Sequence, residues 1–361
     1  MRVLAVTGAS GGHIFPALSF LDALKDKHKE IGTLLVLPKR SIKAQDIAAS
    51  YEVKYLSTST IGLSFNFKNL IAIFNFLKGI FESLFILVEF KPDIVVGFGG
   101  IDSIPLLLLA WALRIKTLIH EQNVIPGRAN RLLAKFADKT AISFPETRNY
   151  YKIPQERIVL TGNPLRRGLK KIDKAEALSF FGLNSDKFTI LVMGGSQGSR
   201  RINRALLRAV SLMPDKSKFQ VIHIAGENEF GLLNQGYKDS LVKFKLFTFL
   251  NQMQYAYSGA DLAICRAGAT TISELIFYRL PAIIIPYPFA YKHQLSNAKV
   301  LERMQSALVI DDSELDTVIL NMILDEIVKN PKKIDVMRSR FRGILKTEAS
   351  NLLVDEALSL V

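Results

Sequence analysis

Val3–His13 reads VLAVTGASGGH, and Lys187–Ser199 reads KFTILVMGGSQGS. Each is an apolar, strand-like run that breaks into a glycine-rich loop. The runs are Val3–Thr7 and Lys187–Met193, and helical patterns follow at about Pro16–Lys25 and Arg201–Val210. A strand, a glycine loop and a helix in that order present backbone N–H groups to a phosphate. Their recurrence at the head of each half implies an α/β chain with two Rossmann-like, doubly wound parallel-sheet domains facing a cleft. Neither loop has G-x-G-x-x-G spacing, and no Gly-Lys-Ser/Thr follows, so both the dinucleotide fingerprint and the Walker loop fail. A tight βα turn without a ligand is the plainer reading of either loop. His13 sharpens the first, because an imidazole at a glycine-lined strand end is placed for proton transfer.

Outward from these loops the alternation continues. Further strand-like runs are Thr33–Leu37, Asp93–Phe98, Thr117–His120, Thr140–Ser143 and Ile158–Thr161, then Gln220–Ile224, Leu246–Phe249, Leu262–Ile264 and Ala282–Ile285. Gly162-Asn163-Pro164-Leu165-Arg166 reads as an interdomain linker by its Gly and Pro. Arg166 there is either a phosphate ligand or a surface arginine. His120-Glu121-Gln122-Asn123 puts four polar side chains at a strand's carboxyl end, which is typical of an α/β cleft. The alternative is a hydrogen-bonded loop closing the sheet. Cys265–Glu274, CRAGATTISE, joins a strand to a helix start. Its glycine permits close backbone approach, and Thr270, Thr271 and Ser273 bring hydroxyls to an anion-friendly helix end. Glu274, one turn in, suits a pair of sugar hydroxyls; the plainer reading is a carboxylate favouring the helix dipole. Gln294 opens a later helix, where it suits a sugar hydroxyl.

Totals bound the function. The chain has 361 residues, 49% of them hydrophobic, which is ample for two cores. A formal net charge of +14 favours anionic partners. The basic residues are scattered and carry no nucleic-acid-binding motif, so nucleic acid is not an expected partner. One cysteine excludes an intrachain disulfide and fits a reducing compartment. Arg2–Thr7 enters a strand at once, so no signal peptide is expected, and no run is long enough to span a bilayer. Pro38-Lys39-Arg40 offers a basic pair for a 2′-phosphate of NADP, or a solvated loop. Ile61–Phe90 has helical apolar spacing, yet its apolar residues exceed one stripe and lysines are interleaved. Either a core helix or a surface dipping into the membrane interface accounts for it.

Taken together, Gly11–Ala17, His120–Asn123, Gly162–Arg166, Gly194–Gly198, Cys265–Glu274 and His293–Asn297 resemble the MurG family in kind and order, nearly end to end. That resemblance implies a GT-B glycosyltransferase acting in peptidoglycan and cell-wall biogenesis. It would transfer N-acetylglucosamine from UDP-N-acetylglucosamine to the 4-hydroxyl of undecaprenyl-diphospho-N-acetylmuramoyl-pentapeptide, with inversion. It implies an acceptor domain at 1–163 joined by a returning C-terminal helix at about 345–361, and a nucleotide-sugar domain at 164–344. The implied donor contacts are Ser10, Gly11, Gly12, Asn123, Arg166, Ser196, Leu250, Ala269, Thr270, Thr271, Ile272, Ser273, Glu274 and Gln294. Leu250 would meet uracil through its backbone, and Glu274 the ribose. Ile101 stands where the family usually has an aromatic, so no acceptor contact is carried to it.

For the chemistry, His13 is the expected base, with His120 and Glu121 as runners-up. No D-x-D triplet exists, so no metal or other cofactor is expected to be required, and helix N-termini with Arg166 would hold the leaving charge. The Ile61–Phe90 region would hold the enzyme peripherally on the anionic cytoplasmic face of the bacterial inner membrane. Competing readings are another lipid-directed GT-B transferase, an NADP-linked oxidoreductase, and a non-catalytic nucleotide-sugar-binding scaffold.

Overall fold

The computed structural model describes residues 1–40, 50–58, 67–195, 197–290, 292–341 and 348–361, with backbone alone for 67–73. Two compact units divide the chain, Met1–Arg167 with Lys346–Val361, and Gly168–Leu345. The crossing falls after Arg167 and not at the expected 163/164. Asn163 and Pro164 are buried, so Gly162–Arg166 is interior chain of the first unit and not an exposed linker.

The first unit holds a seven-stranded sheet in the order β3-β2-β1-β4-β5-β6-β7. These are β1 (Arg2–Val6), β2 (Gly32–Pro38), β3 (Val53–Leu56), β4 (Ile94–Gly97), β5 (Lys116–Glu121), β6 (Lys139–Ile142) and β7 (Ile158–Leu160). Every adjacent pair is parallel. Successive strand residues point to opposite faces, so a sheet covered on both sides needs continuous apolar runs. Val3 and Ala5 accordingly pack with Ala17, Leu21 and Leu24 of the helix Gly11–Lys27 and with Leu353, Val354 and Ala357 of the helix Ala349–Leu358. Leu4 and Val6 pack on the other face with Ile86, Leu87, Leu106 and Leu107. The terminal helix thus belongs to the first unit's core, and Lys27 and Lys139 pair with its Asp355 and Glu356.

The second unit holds a six-stranded parallel sheet in the order β10-β9-β8-β11-β12-β13. Its strands are β8 (Phe188–Met193), β9 (Phe219–Ile224), β10 (Lys243–Phe247), β11 (Leu262–Cys265), β12 (Ala282–Ile284) and β13 (Ala307–Val309). Ile190 and Val192 pack on Ile202, Leu206 and Val210 of the helix Arg200–Ser211 and, through that layer, on Leu320 and Leu324 of the helix Thr317–Lys329.

Strand order reverses beside β1 in one unit and beside β8 in the other. Ligands of open α/β sheets bind at such reversals, outside the strands' carboxyl ends. The loops there follow β1 and β4, and β8 and β11. The helix Phe67–Phe90 leaves an unusual face in solvent. Phe74, Leu77, Phe81, Leu84, Phe85 and Val88 are all exposed, Phe81 at 72%. No helix among the described residues is long and apolar enough to cross a membrane. Residues 61–66 of the expected surface lie outside the described residues.

Candidate active site

The first unit's reversal point is built from glycine. The first helix begins at Gly11, earlier than the Pro16 expected, because the Ser10 carbonyl accepts from the amides of His13 (2.9 Å) and Ile14 (3.0 Å). Pro16 therefore lies inside the helix. Gly8 and Gly100 touch backbone to backbone: a Cβ on Gly100 would stand 2.6 Å from Gly8 Cα. The His13 ring packs beside them, with Nδ1 2.7 Å from a Cβ built on Gly8 and Nε2 3.3 Å from one on Gly99. Ser10 Oγ lies 3.0 Å from Nδ1. The residue is half-buried by surface area, yet its ring is lined closely enough for desolvation to lower its pKa to about 4. Desolvation disfavours the charged form, so His13 is a neutral imidazole at neutral pH.

His120-Glu121-Gln122-Asn123 divides into roles that spacing did not reveal. His120 is fully buried, with Nε2 2.9 Å from Gly162 O and Nδ1 3.2 Å from Gln122 Nε2. Gln122 donates, so Nδ1 accepts and the proton sits on Nε2. Both nitrogens are occupied, which argues against His120 as a base. Glu121 is equally engaged. Its Oε1 accepts from Asn123 N (2.9 Å) and Nδ2 (3.1 Å), and its Oε2 from Gly127 N (3.0 Å) and Asn130 Nδ2 (2.8 Å). Both oxygens of this buried carboxylate are thus taken up by donors of its own loop and the helix that follows it. It corrects the expectation of catalysis at Glu121: this side chain shapes the loop after β5. Asn123 stays half-exposed at that loop. Arg166 lies with its guanidinium 4.4 Å from the centroid of Phe15, in the first turns of the helix that begins at Gly11. Ser10, Gly11, Gly12, His13 and Arg166 therefore gather at one helix start. Lys39 and Arg40, the NADP candidates, are engaged with Glu82 (3.0 Å) and Asp102 (2.6 Å).

In the second unit the loop after β8 is pressed onto the end of β9. Gly198 has φ +74°, and a Cβ there would come within 1.9 Å of Ala225 O. Behind it, buried His223 bridges Tyr237 Oη (2.9 Å) and Asn203 Oδ1 (3.0 Å), while Asn203 Nδ2 donates to Ala225 O (3.0 Å). Ser196 lies outside the described residues. The loop after β11 is tied down by its neighbours. Arg266 donates to Ile285 O (3.1 Å), Pro286 O (3.3 Å) and Ser199 Oγ (2.9 Å), and pairs with Asp312. In the sequence Arg266 is one letter of a motif; in the structure it is the joint between the β8, β11 and β12 loops.

The helix Ala269–Tyr278 starts at Gly268, and its first backbone bond runs from Ile272 N to Gly268 O (2.9 Å). By helix geometry the amides of Ala269, Thr270 and Thr271 face the open end. Thr270 Oγ1 is buried there without a hydrogen-bond partner among the described residues. Ile272 is core, and Ser273 Oγ bonds back to Ala269 O (3.0 Å), so neither presents a side chain to a ligand. Gln294 Oε1 accepts from Ala267 N (3.1 Å) and Tyr287 N (2.8 Å), so this side chain ties the loop after β11 to the loop after β12 through its oxygen. Asn297 Nδ2 holds Ala267 O (3.1 Å). Leu250 is buried beyond β10. Glu274 is only 2% exposed and accepts from Tyr257 Oη at 2.6 Å. Burial beside that carboxylate pushes the Cys265 thiol up to about 12, which makes it inert. Among the described residues no cluster of three or more His, Cys, Asp or Glu side chains could hold a metal ion.

Two doubly wound sheets, each with a glycine loop and a helix start at its reversal point, define an α/β protein of two Rossmann-like domains. The glycosyltransferase family 28 N-terminal domain matches residues 3–142, and the family 28 C-terminal domain matches residues 189–353. A Thermodesulfovibrio yellowstonii protein is 36% identical over 365 residues, spanning 100% of this chain and 99% of its own. It is named UDP-N-acetylglucosamine–N-acetylmuramyl-(pentapeptide) pyrophosphoryl-undecaprenol N-acetylglucosamine transferase. An Alkaliphilus metalliredigens protein of the same name is 34% identical over the full length of both chains. The crystal structure of Acinetobacter baumannii MurG superposes with a TM-score of 0.79 at 25% identity, covering 99% of each chain. A Neisseria meningitidis UDP-GlcNAc 2-epimerase, solved with UDP-GlcNAc bound, shares the fold at a TM-score of 0.69 and 18% identity, over 99% of this chain and 100% of its own. The chain belongs to the MurG family of N-acetylglucosamine transferases.

Proposed function

We infer that this chain transfers N-acetylglucosamine from UDP-N-acetylglucosamine to undecaprenyl-diphospho-N-acetylmuramoyl-pentapeptide, converting lipid I to lipid II in peptidoglycan synthesis. The observation that carries it is 34–36% identity to transferases of that name, along the full length of the chain. The roles of individual residues are our reading. His13 acts on the acceptor 4-hydroxyl. With Nδ1–H donating to Ser10 Oγ, Nε2 carries the lone pair that takes the proton. A base with a pKa near 4 is always ready but weak, and a bound anionic acceptor raises it toward the working range. The attacking oxygen displaces UDP from the opposite face of the anomeric carbon, which inverts it. The leaving diphosphate meets the amides at the start of the helix Ala269–Tyr278 and the Thr270 hydroxyl. Glu274 takes the ribose hydroxyls, and the Gln294 NH2 the sugar. No step is assigned to a metal.

The acceptor's undecaprenyl chain stays in the membrane, so the enzyme must come to it. We place the exposed face of the helix Phe67–Phe90 in the interface of the anionic cytoplasmic leaflet. Trp111, Leu113 and Arg114, exposed at and just past the end of the helix Ile104–Ala112 that packs on Phe67–Phe90, support that placement, since an apolar face with basic neighbours suits such a surface.

The test is UDP release by the full chain. With UDP-N-acetylglucosamine and an undecaprenyl-linked muramoyl pentapeptide in detergent, release should depend on the acceptor. Because an epimerase shares the fold, the sugar is analysed too. UDP-N-acetylmannosamine, or UDP released at equal rate without acceptor, would refute the inference.

A further inference from the structure

Glu274 is a buried carboxylate, and burial of a charge is costly unless hydrogen bonds satisfy it. Its Oε2 accepts from Tyr257 Oη at 2.6 Å, and Tyr257 is itself 2% exposed. The same hydroxyl lies 3.5 Å from Met193 Sδ, at the last residue of β8. It therefore sits beneath the reversal point, between the end of β8 and the helix that follows β11. The Tyr257 ring is fixed in turn. Tyr278 stacks on it with centroids 4.9 Å apart and planes 19° from parallel. Tyr278 Oη donates to Lys170 O (3.1 Å), and Ser258 Oγ, one residue on from Tyr257, accepts from Ile172 N (3.0 Å). Tyr257 is thus locked by stacking on one side and by the segment entering the second unit on another. Leu250, seven residues earlier, lies on the chain that leads into the same helix, Met253–Gly259.

We propose that Tyr257 is a positioning residue for nucleoside recognition: its hydroxyl fixes the plane of the Glu274 carboxylate so that the group accepts from the vicinal hydroxyls of a ribose. This rests on the reading of Glu274 as the ribose contact. A carboxylate free to rotate takes one hydroxyl as readily as two. Pinning one oxygen selects the orientation that both hydroxyls match, and so makes the enzyme discriminate ribose from 2′-deoxyribose.

The experiment compares UDP-N-acetylglucosamine with its 2′-deoxyuridine counterpart as donor, using the full chain and a lipid-linked muramoyl acceptor. The variants are Tyr257→Phe, which keeps the ring stack, and Glu274→Gln. For Tyr257→Phe, KM for the ribose donor should rise about tenfold, the scale of one hydrogen bond to a charged group, while kcat stays within about twofold because nothing at the reacting carbon has changed. Its preference for ribose should fall toward unity. A wild-type KM and preference in Tyr257→Phe, with Glu274→Gln having lost the preference, would overturn the positioning role and leave the ribose contact standing. A preference unchanged in Glu274→Gln would overturn the ribose contact and this inference together. Should Tyr257→Phe fail to fold, Tyr278→Leu removes the stack and keeps the hydroxyl. Reduced preference there supports the proposal, and unchanged preference overturns it.

Discussion

His13 yields the sharpest quantitative expectation. Its pKa is lowered to about 4 because the ring is packed against Gly8 and Gly99 with little water around it. The sign follows directly: a depressed imidazole pKa withholds protonation until the pH falls well below the usual 6.5. At pH 5.5 such a ring is about 97% neutral, whereas an unperturbed histidine would be about 9% neutral. If His13 is the base, kcat/KM, which reports the free enzyme, should be nearly flat from pH 7.5 to 5.5. An ordinary histidine would lose about tenfold over that range. The assay is initial-rate UDP release at limiting acceptor, in constant-ionic-strength buffers, with His13→Ala alongside. That variant should lose about 10²–10⁴ in kcat. An inflection between pH 6 and 7 that vanishes in His13→Ala would refute the desolvation reasoning. An unchanged kcat in His13→Ala would remove His13 from the role.

Three further expectations follow from contacts already described. Phe81→Asp and Phe85→Asp should each weaken retention on anionic liposomes at least tenfold, since burying one phenyl contributes about 1.5–3 kcal/mol and an added carboxylate is repelled; sedimentation with vesicles measures it, and unchanged retention would detach this face from the membrane. Gly198→Ala should destabilise the second unit by about 2 kcal/mol or more, from a left-handed alanine and a Cβ aimed at Ala225 O, and an unchanged denaturation midpoint would contradict it. Arg266→Ala strips donors from two carbonyls and Ser199 and leaves Asp312 with Arg201 at 3.7 Å. It should cost about 1–3 kcal/mol in denaturant unfolding, the scale of buried acceptors left without donors, with a weaker affinity for UDP by calorimetry.

Much of the architecture was legible because it rests on period and punctuation. Short continuous apolar runs, rich in β-branched residues and ending in glycine, fit strands covered on both faces, and two such openings imply two doubly wound sheets. The strands Val53–Leu56 and Ala307–Val309 were missed: they sit at sheet edges, where short and partly exposed runs carry little pattern. The stretch His120–Asn123 was misleading for a different reason. Polar residues at a strand end look alike whether they face a ligand or one another, and burial alone separated Glu121, bound on both oxygens, from half-exposed Asn123. Gly162–Arg166 read as a linker by composition, although Asn163 and Pro164 are interior. Tyr257 left no signal at all, since its partner Glu274 lies on another helix and only the fold brings the two within 2.6 Å.

The most direct measurement is the structure of the product. The full chain is incubated with UDP-N-acetylglucosamine and undecaprenyl-diphospho-N-acetylmuramoyl-pentapeptide, and the purified lipid is read by mass spectrometry and proton NMR. One added N-acetylhexosamine, joined to the muramoyl 4-position in the β configuration, is the expected result. An α linkage, attachment elsewhere, or recovered acceptor beside an epimerised donor would contradict it.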